Sequence, residues 1–471
     1  MPRHTQGHLS WAALSVVFLL SLPAVTTRFY ASDEIQFFSW LRSIAFDRDV
    51  DFQNEYQYFY DTGPAHNDGF RDTFLTSTNE AGRRRNFAPI GCAILWAPFY
   101  AAGHVVALIT GAPADGLSRP YIAAVAYGSA VYGFLALLLS LAIVRHVVGG
   151  SAMSTVAVVA TWIGTPLVFY MYVAPGFGHA CSAFAVSLFL WVWLRVRERW
   201  TMGGVALLAA IGALLPMVRE QDVFFVAGPA LDALRTFAWP SARPTVHASR
   251  GAAGLRRLLT LTLAGAAAFI VVYAPQLLAY NALNGHPSAT TAVTRKMIWT
   301  SPHLAGVLFS PEHGLFFWTP LALIAVLGLV WLASGRSSAV HADAAWIGVI
   351  ALVMFAAQAY ISGSVDSWTV AGSFGQRRFV ATTPLIALGL ATIGASIATR
   401  PLRLVALATA VLALWWNVGL MLQFGLHTMD RQRLTLASNA RATFVDLPRQ
   451  APSILWRYFT NRSSFYGVDR R

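Results

Sequence analysis

The chain has 471 residues, 56% of them hydrophobic and 12% charged, with a mean hydropathy of +0.53. A soluble domain is about a quarter charged, whereas a membrane-spanning helix needs about 20 mostly apolar residues in a row; the composition excludes a soluble enzyme and fits a polytopic membrane protein. The formal charge of +13 does not mark a nucleic-acid binder, because the cations punctuate the ends of apolar runs and form no single basic domain.

The first apolar run covers residues 9–30. Arg3 ahead of it has the look of a signal peptide, but no A-x-A site follows and the run is long enough to cross, so it reads as an uncleaved span. Then comes YASDEIQFF, with Asp33 and Glu34 adjacent where the chain should leave the membrane. Ser32 is placed to cap a helix from Asp33 to about Phe46. Ile35, Phe38, Leu41 and Ala45 make an apolar stripe on it, and Gln36, Ser39, Ser43 and Asp47 a polar one, which predicts an amphipathic helix on the membrane surface. The stretch 31–119 holds eleven of the chain's 21 acids. Asp47, Asp49 and Asp51 have metal-loop spacing, but the glycine and the distal glutamate of an EF-hand are missing, so a structural turn is preferred.

Further apolar runs fall at 88–110, 120–144, 151–173, 180–194, 202–217, 223–239, 258–281, 314–333, 343–361, 378–398 and 403–426, twelve in all with the first. One alternating set of loops holds twelve cations: Arg145, Arg195, Arg197, Arg199, Arg235, Arg243, Arg250, Arg256, Arg257, Arg336, Arg400 and Arg403. The other holds five: Arg219, Arg295, Lys296, Arg377 and Arg378. The positive-inside rule puts the richer set in the cytoplasm. With a cytoplasmic N-terminus, that requires 88–110 not to cross. Pro98 and His104 suit a broken or surface-lying helix there. The expectation is eleven spans in residues 1–426, with interfacial helices in the outer loop 31–119. The tail 427–471 then lies outside, although it carries eight arginines. Cys92 and Cys181 share the outer side, and no spacing argument pairs them.

Five segments in this order resemble the GT-C membrane glycosyltransferases, in particular the bacterial family-39-type enzymes related to protein O-mannosyltransferases and the lipid A aminoarabinose transferase. They are SDEIQFFSWLRSIAFDRDVDFQNEY (32–56), NFAPIGCAILWAPFY (86–100), GTPLVFYMYVAPGFGHACSAF (164–184), LFSPEHGLFFWTPLALIAVLGL (308–329) and GSFGQRRFVATTPLIALGLA (372–391). The resemblance implies a GT-C type helical bundle in the bacterial inner membrane. It also implies an inverting sugar transfer, from a polyprenyl-phosphate donor to a glycan, lipid or protein acceptor on the outer face. The family's first-loop acid, the expected catalytic base, matches Asp33. A second acid found in a later loop of the lipid A enzyme is not matched; the loop reads APGFGHA here, with His179.

Such chemistry needs a base beside the acceptor hydroxyl, cations at the departing phosphate and an apolar groove for the lipid. Asp33 is the expected base, and Glu34 the residue that orients a sugar or a neighbouring cation. Arg377 with Arg378, and Arg295 with Lys296, are the expected phosphate ligands, since arginine grips phosphate bidentately. His179 is placed to hydrogen-bond a sugar. Against this, Asp33 and Glu34 could merely favour a helix N-terminus, worth about 0.3–1 kcal/mol, and the arginines could be headgroup anchors. No cofactor is implied, and a divalent metal stays open. No G-x-G-x-x-G after a strand marks a nucleotide-sugar site. The alternatives are a lipid or glycan transporter or flippase, which would carry ionisable groups in mid-span, and a non-catalytic envelope assembly protein.

Overall fold

A computed structural model describes residues 3–238, 252–370, 372–397 and 399–465. Arg243 and Arg250, counted above, lie outside them. The helices used below are α1 (Arg3–Ser21), α2 (Ser32–Arg42), α3 (Gln53–Asp61), α4 (Gly91–Thr110), α5 (Arg119–Val147), α6 (Ala152–Gly164), α7 (His179–Val196) and α8 (Met202–Val218). They continue with α9 (Ala227–Ala238), α10 (Ala252–Asn284), α11 (Pro320–Ala333), α12 (Ala344–Gly363), α13 (Thr383–Ser396), α14 (Arg400–Gly425) and α15 (Leu447–Thr460). Among the described residues the only β pairings are two isolated bridges, Thr78 to Arg84 and Met297 to Val365.

Among the described residues seven segments are long and apolar enough to cross a membrane: α4, α5, α7, α10, α12, Arg377–Ser396 and α14. Four shorter apolar helices, Ser10–Ala24, α6, α8 and α11, accompany them. The chain is an all-α multi-pass membrane protein. Its helices cross closely where glycines remove side chains, as membrane bundles do. A Cβ added at Gly328 of α11 would lie 2.0 Å from the Gly389 carbonyl of α13, and one at Gly389 the same distance from the Ala325 carbonyl.

The contacts sort the helix ends onto two faces. On one face stand the exit of α1, the 172–178 loop, the starts of α7 and of Arg377–Thr382, and the ends of α8, α10, α12 and α14. Thr26 donates to the Tyr172 carbonyl, Asn79 to the Leu283 carbonyl and Gln358 to the Arg378 carbonyl. This is the Asp33 face. On the opposite face Arg145 lies over Trp11, His341 donates its backbone N–H to Val147, and Ser338 bonds the Ala395 carbonyl. There Arg197 and Asp232, both fully buried, form an ion pair at 2.8 Å that Arg235, Asp343, Trp193 and Trp346 extend. Removing one partner of a buried pair costs about 3–5 kcal/mol, so this network clamps the ends of α7, α9 and α12.

The run 223–239 appears as a 3-10 turn, Glu220–Val226, continued by α9. Neither piece has the length of a span, yet together they follow α7 from face to face: Asp222 accepts from Ser182, and Asp232 accepts from Trp193 and Arg197. The segment 88–110 differs from expectation in form. It is not broken at Pro98 but is one continuous 20-residue helix, α4. Its placement is unusual for a helix of that length. It starts against Met217, Val218 and Gly178, then packs antiparallel on the first half of α5. Its far half bonds Gly116 through Tyr100 and Tyr121 through His104, beside Phe46 of the first loop. Both ends of α4 therefore touch elements of the Asp33 face.

The first-loop helix is also corrected. Helix α2 begins at Ser32, so Ser32 is not its cap; Ala31 occupies that position, and the Glu34 carboxylate reaches back to the Ala31 N–H. Nor does it lie on a surface with its polar stripe in water. Gln36, Ser39 and Ser43 are buried and satisfied, the Gln36 side chain by the Ser32 carbonyl and the Phe87 N–H, Ser39 by the Ile35 carbonyl and Ser43 by Asp49. The rest of the loop, with Phe52 and Tyr56 at the start of α3, covers it. Asp47 bonds Arg42 and Asn54, and Asp49 accepts from Ser43 and from the Asp51 N–H, so the acid-rich turn is tied together by its own hydrogen bonds.

Candidate functional site

Asp33 stands in the first turn of α2, directly after the α1 exit. The 3-10 turn Arg377–Thr382 enters the bundle at the same height. Between them Arg377 Nη1 donates to Asp33 Oδ2 at 2.7 Å, joining residues 344 apart in sequence. The pair is open to solvent on one side, with 36% of the Asp33 side chain and 20% of that of Arg377 exposed. A water-exposed pair of this kind is worth about 0–1 kcal/mol, so a ligand can displace it cheaply. Arg377 also lies 5.4 Å over the Phe177 ring, and its Nε is buried with no partner.

Two further guanidiniums share the site. Arg378 donates to the carbonyls of Ser362 and Ser367, while its own carbonyl is held by Gln221 and Gln358. Arg219 follows α8 and lies within electrostatic reach of Arg377, Arg378 and Asp33. Burial, more than any neighbour, disfavours its charged form, and Asp222 opposes that. Asp222 accepts from the Ser182 hydroxyl. The Arg219 Nε has no partner. Three guanidiniums thus face one carboxylate that is free to meet a ligand, which is an anion-binding arrangement.

Glu34 points the other way. It is fully buried; its oxygens accept from the N–H groups of Tyr30, Ala31 and Gly176. Burial pushes its pKa up to about 8 despite those three donors. It clasps the 174–178 turn against α2 and has no open side toward a sugar. Gly176 must be glycine for this clasp, because a Cβ there would meet Phe29 and Glu34 at 2.8–3.0 Å. His179 is likewise buried, packed 4.4 Å from the Tyr170 ring beside Phe177, with the three arginines as its charged neighbours. It forms the floor of the site. Arg295 and Lys296 are exposed; Lys296 lies 6.0 Å from the Phe87 ring, and its carbonyl accepts from the Asp366 N–H.

Next to Arg219 an apolar cavity of about 400 Å³ runs between α8 and α10, lined by Pro216, Val223, Phe269, Tyr273 and Leu277, with Glu220 and Tyr280 bonded to one another in its wall. Cys92 and Cys181 meet as free buried thiols. Among the described residues no group of three or more His, Cys, Asp or Glu could hold a metal ion. No family model matches this chain, and comparison with curated proteins finds no match.

Proposed function

We propose that the protein is a GT-C type glycosyltransferase that moves a sugar from a polyprenyl-phosphate donor to an acceptor on the outer side of the bacterial inner membrane. The observation that carries this reading is the Asp33–Arg377 pair at the exit of α1, with Arg378 and Arg219 within electrostatic reach of it. In the proposed reaction Asp33 takes the proton of the acceptor hydroxyl as its oxygen attacks the anomeric carbon. The bond from that carbon to the phosphate oxygen breaks on the opposite side, with inversion. The polyprenyl phosphate leaves with its charge on the guanidiniums, needing electrostatic help more than a proton. The cavity beside Arg219 supports a place for the first isoprene units. A transporter reading finds less support, since the buried Arg197–Asp232 network sits at helix ends and is internally paired.

The direct test is donor-site occupancy. Polyprenyl phosphate added to the purified protein in detergent should raise its melting temperature, and the matching polyprenol without phosphate should not. Equal stabilisation by both would leave a greasy groove and no phosphate site.

The reading carries a topology: eleven crossings, with Glu220–Ala238 among them and α4 held on the outer side. Single cysteines at Ala112 and Ser151 test it, because the native thiols are buried. We expect an impermeant maleimide added to intact spheroplasts to label Ala112→Cys and spare Ser151→Cys. Labelling of Ala112→Cys only after lysis would mean that α4 crosses.

A further inference from the structure

Helix α15 presents an apolar arc to the outside of the protein. Leu455 is 57% exposed, Trp456 73% and Phe459 81%, and Pro448 and Pro452 extend the same arc at helical spacing. Arg449, Ser453 and Arg457 form a polar, exposed arc along one edge of it. Such a face on a water-soluble surface would be an aggregation hazard.

One end of this helix is pinned where a span ends, and the other to the second half of α14. At the far end, Arg462 donates to the carbonyls of Pro23, Ala24 and Val25 at 2.5, 2.7 and 3.4 Å, gripping the turn that closes α1. At the near end, the Thr443 carbonyl accepts from Trp415 of α14, and Thr443 packs where Gly419 has no side chain. Phe444 stacks on Trp416. The 14 residues of α15 rise about 21 Å at 1.5 Å each, so the helix links two anchoring ends, the Asp33-face end of α1 and the second half of α14. Just below those ends α1 and α14 are lipid-facing: Leu19 and Leu20 are 60% and 76% exposed, Val411 and Leu412 53% and 57%. The exposed arc of α15 continues that apolar belt at its rim.

We propose that α15 is an in-plane anchor that docks on a lipid bilayer at the Asp33 face, its apolar arc in the acyl boundary and Arg449 and Arg457 on anionic headgroups. This inference is independent of the glycosyl-transfer reading and of which compartment the face meets. The test uses the full chain in nanodiscs of phosphatidylethanolamine and phosphatidylglycerol, spin-labelled at Phe459→Cys or at Ser453→Cys. The label at 459 should be several-fold more accessible to oxygen than to a water-soluble nickel chelate, and the label at 453 the reverse. Replacing phosphatidylglycerol by phosphatidylcholine should withdraw the 459 label toward water, and Arg449→Gln with Arg457→Gln should abolish that headgroup dependence. Equal exposure of both labels to the chelate would overturn the proposal. So would spin–spin broadening at 459, which would place a second copy of the chain on this face, or a label depth indifferent to headgroup charge.

Discussion

Arg219→Gln should weaken polyprenyl phosphate binding by about tenfold or more while leaving the protein as stable as before, or more so. Charge-assisted hydrogen bonds are worth about 1.5–3 kcal/mol, and 1.4 kcal/mol is a factor of ten. The stability half of the expectation comes from the free protein. There Arg219 is half-buried beside two other arginines, has an unpartnered Nε and has Asp222 and Asp33 as counter-charges. A residue kept at a cost to the resting fold is accounted for by what it meets later. Arg377→Gln should lose affinity similarly but also loosen Asp33, its partner at 2.7 Å. Arg378→Gln should cost some stability as well, because its guanidinium ties down the Ser362 and Ser367 carbonyls. Affinity for polyprenyl phosphate and melting temperature, measured on the same three variants, separate the roles. If Arg219→Gln lowered the melting temperature and left affinity unchanged, Arg219 would be a structural cation and the phosphate site would lose its third ligand.

Arg219 shows what the sequence could and could not disclose. It was legible as a cation of the poorer loop set, on the side where Arg377 and Arg378 also fall. It did not stand out, because a lone arginine at the end of an apolar run is what any span shows, whereas Arg377 and Arg378 advertise themselves as a pair. Only the return of α8 to the Asp33 face brings it in. The pairing of Asp33 with Arg377 was half legible: both fall in loops of one side, and the first-loop resemblance picks out the acid, but nothing in one sequence says that loops 344 residues apart touch.

Errors in the first loop have one physical source. A stripe of Gln36, Ser39 and Ser43 is read as facing water because polar groups must be satisfied somewhere. Here the helix's own Ser32 and Ile35 carbonyls, with Asp49 and the Phe87 N–H, satisfy them, and a periodicity cannot tell solvent from a folded partner. Glu34 fails as a sugar ligand for the same reason: backbone donors from Tyr30, Ala31 and Gly176 take its oxygens. The segment 220–238 marks the limit of window reading from the other side. It passes from face to face although its 3-10 turn and its 12-residue helix each fall short of a span.

Asp33→Asn should lower sugar transfer by about 10²–10⁴-fold, the usual contribution of a positioned general base, and should leave the fold and donor binding nearly intact. The carboxamide keeps an oxygen for the Arg377 N–H, so the site stays assembled, and the clasp that fixes the height of α2 belongs to Glu34 and is untouched. The exposed side of Asp33 is where an acceptor hydroxyl can approach. The donor's phosphate is tethered at headgroup depth, and the α1 exit sets the carboxylate at that depth too. The readout is complementation: cells lacking the protein should show altered envelope glycans by mass spectrometry, restored by the native chain and not by Asp33→Asn at equal membrane abundance. An alternative in which Asp33 only aims Arg377 predicts something different. The amide would then suffice to hold the guanidinium, restoration would be nearly complete, and Arg377→Gln would be the damaging change. Full restoration by Asp33→Asn would therefore remove the base from this site and leave Asp33 as the residue that positions Arg377.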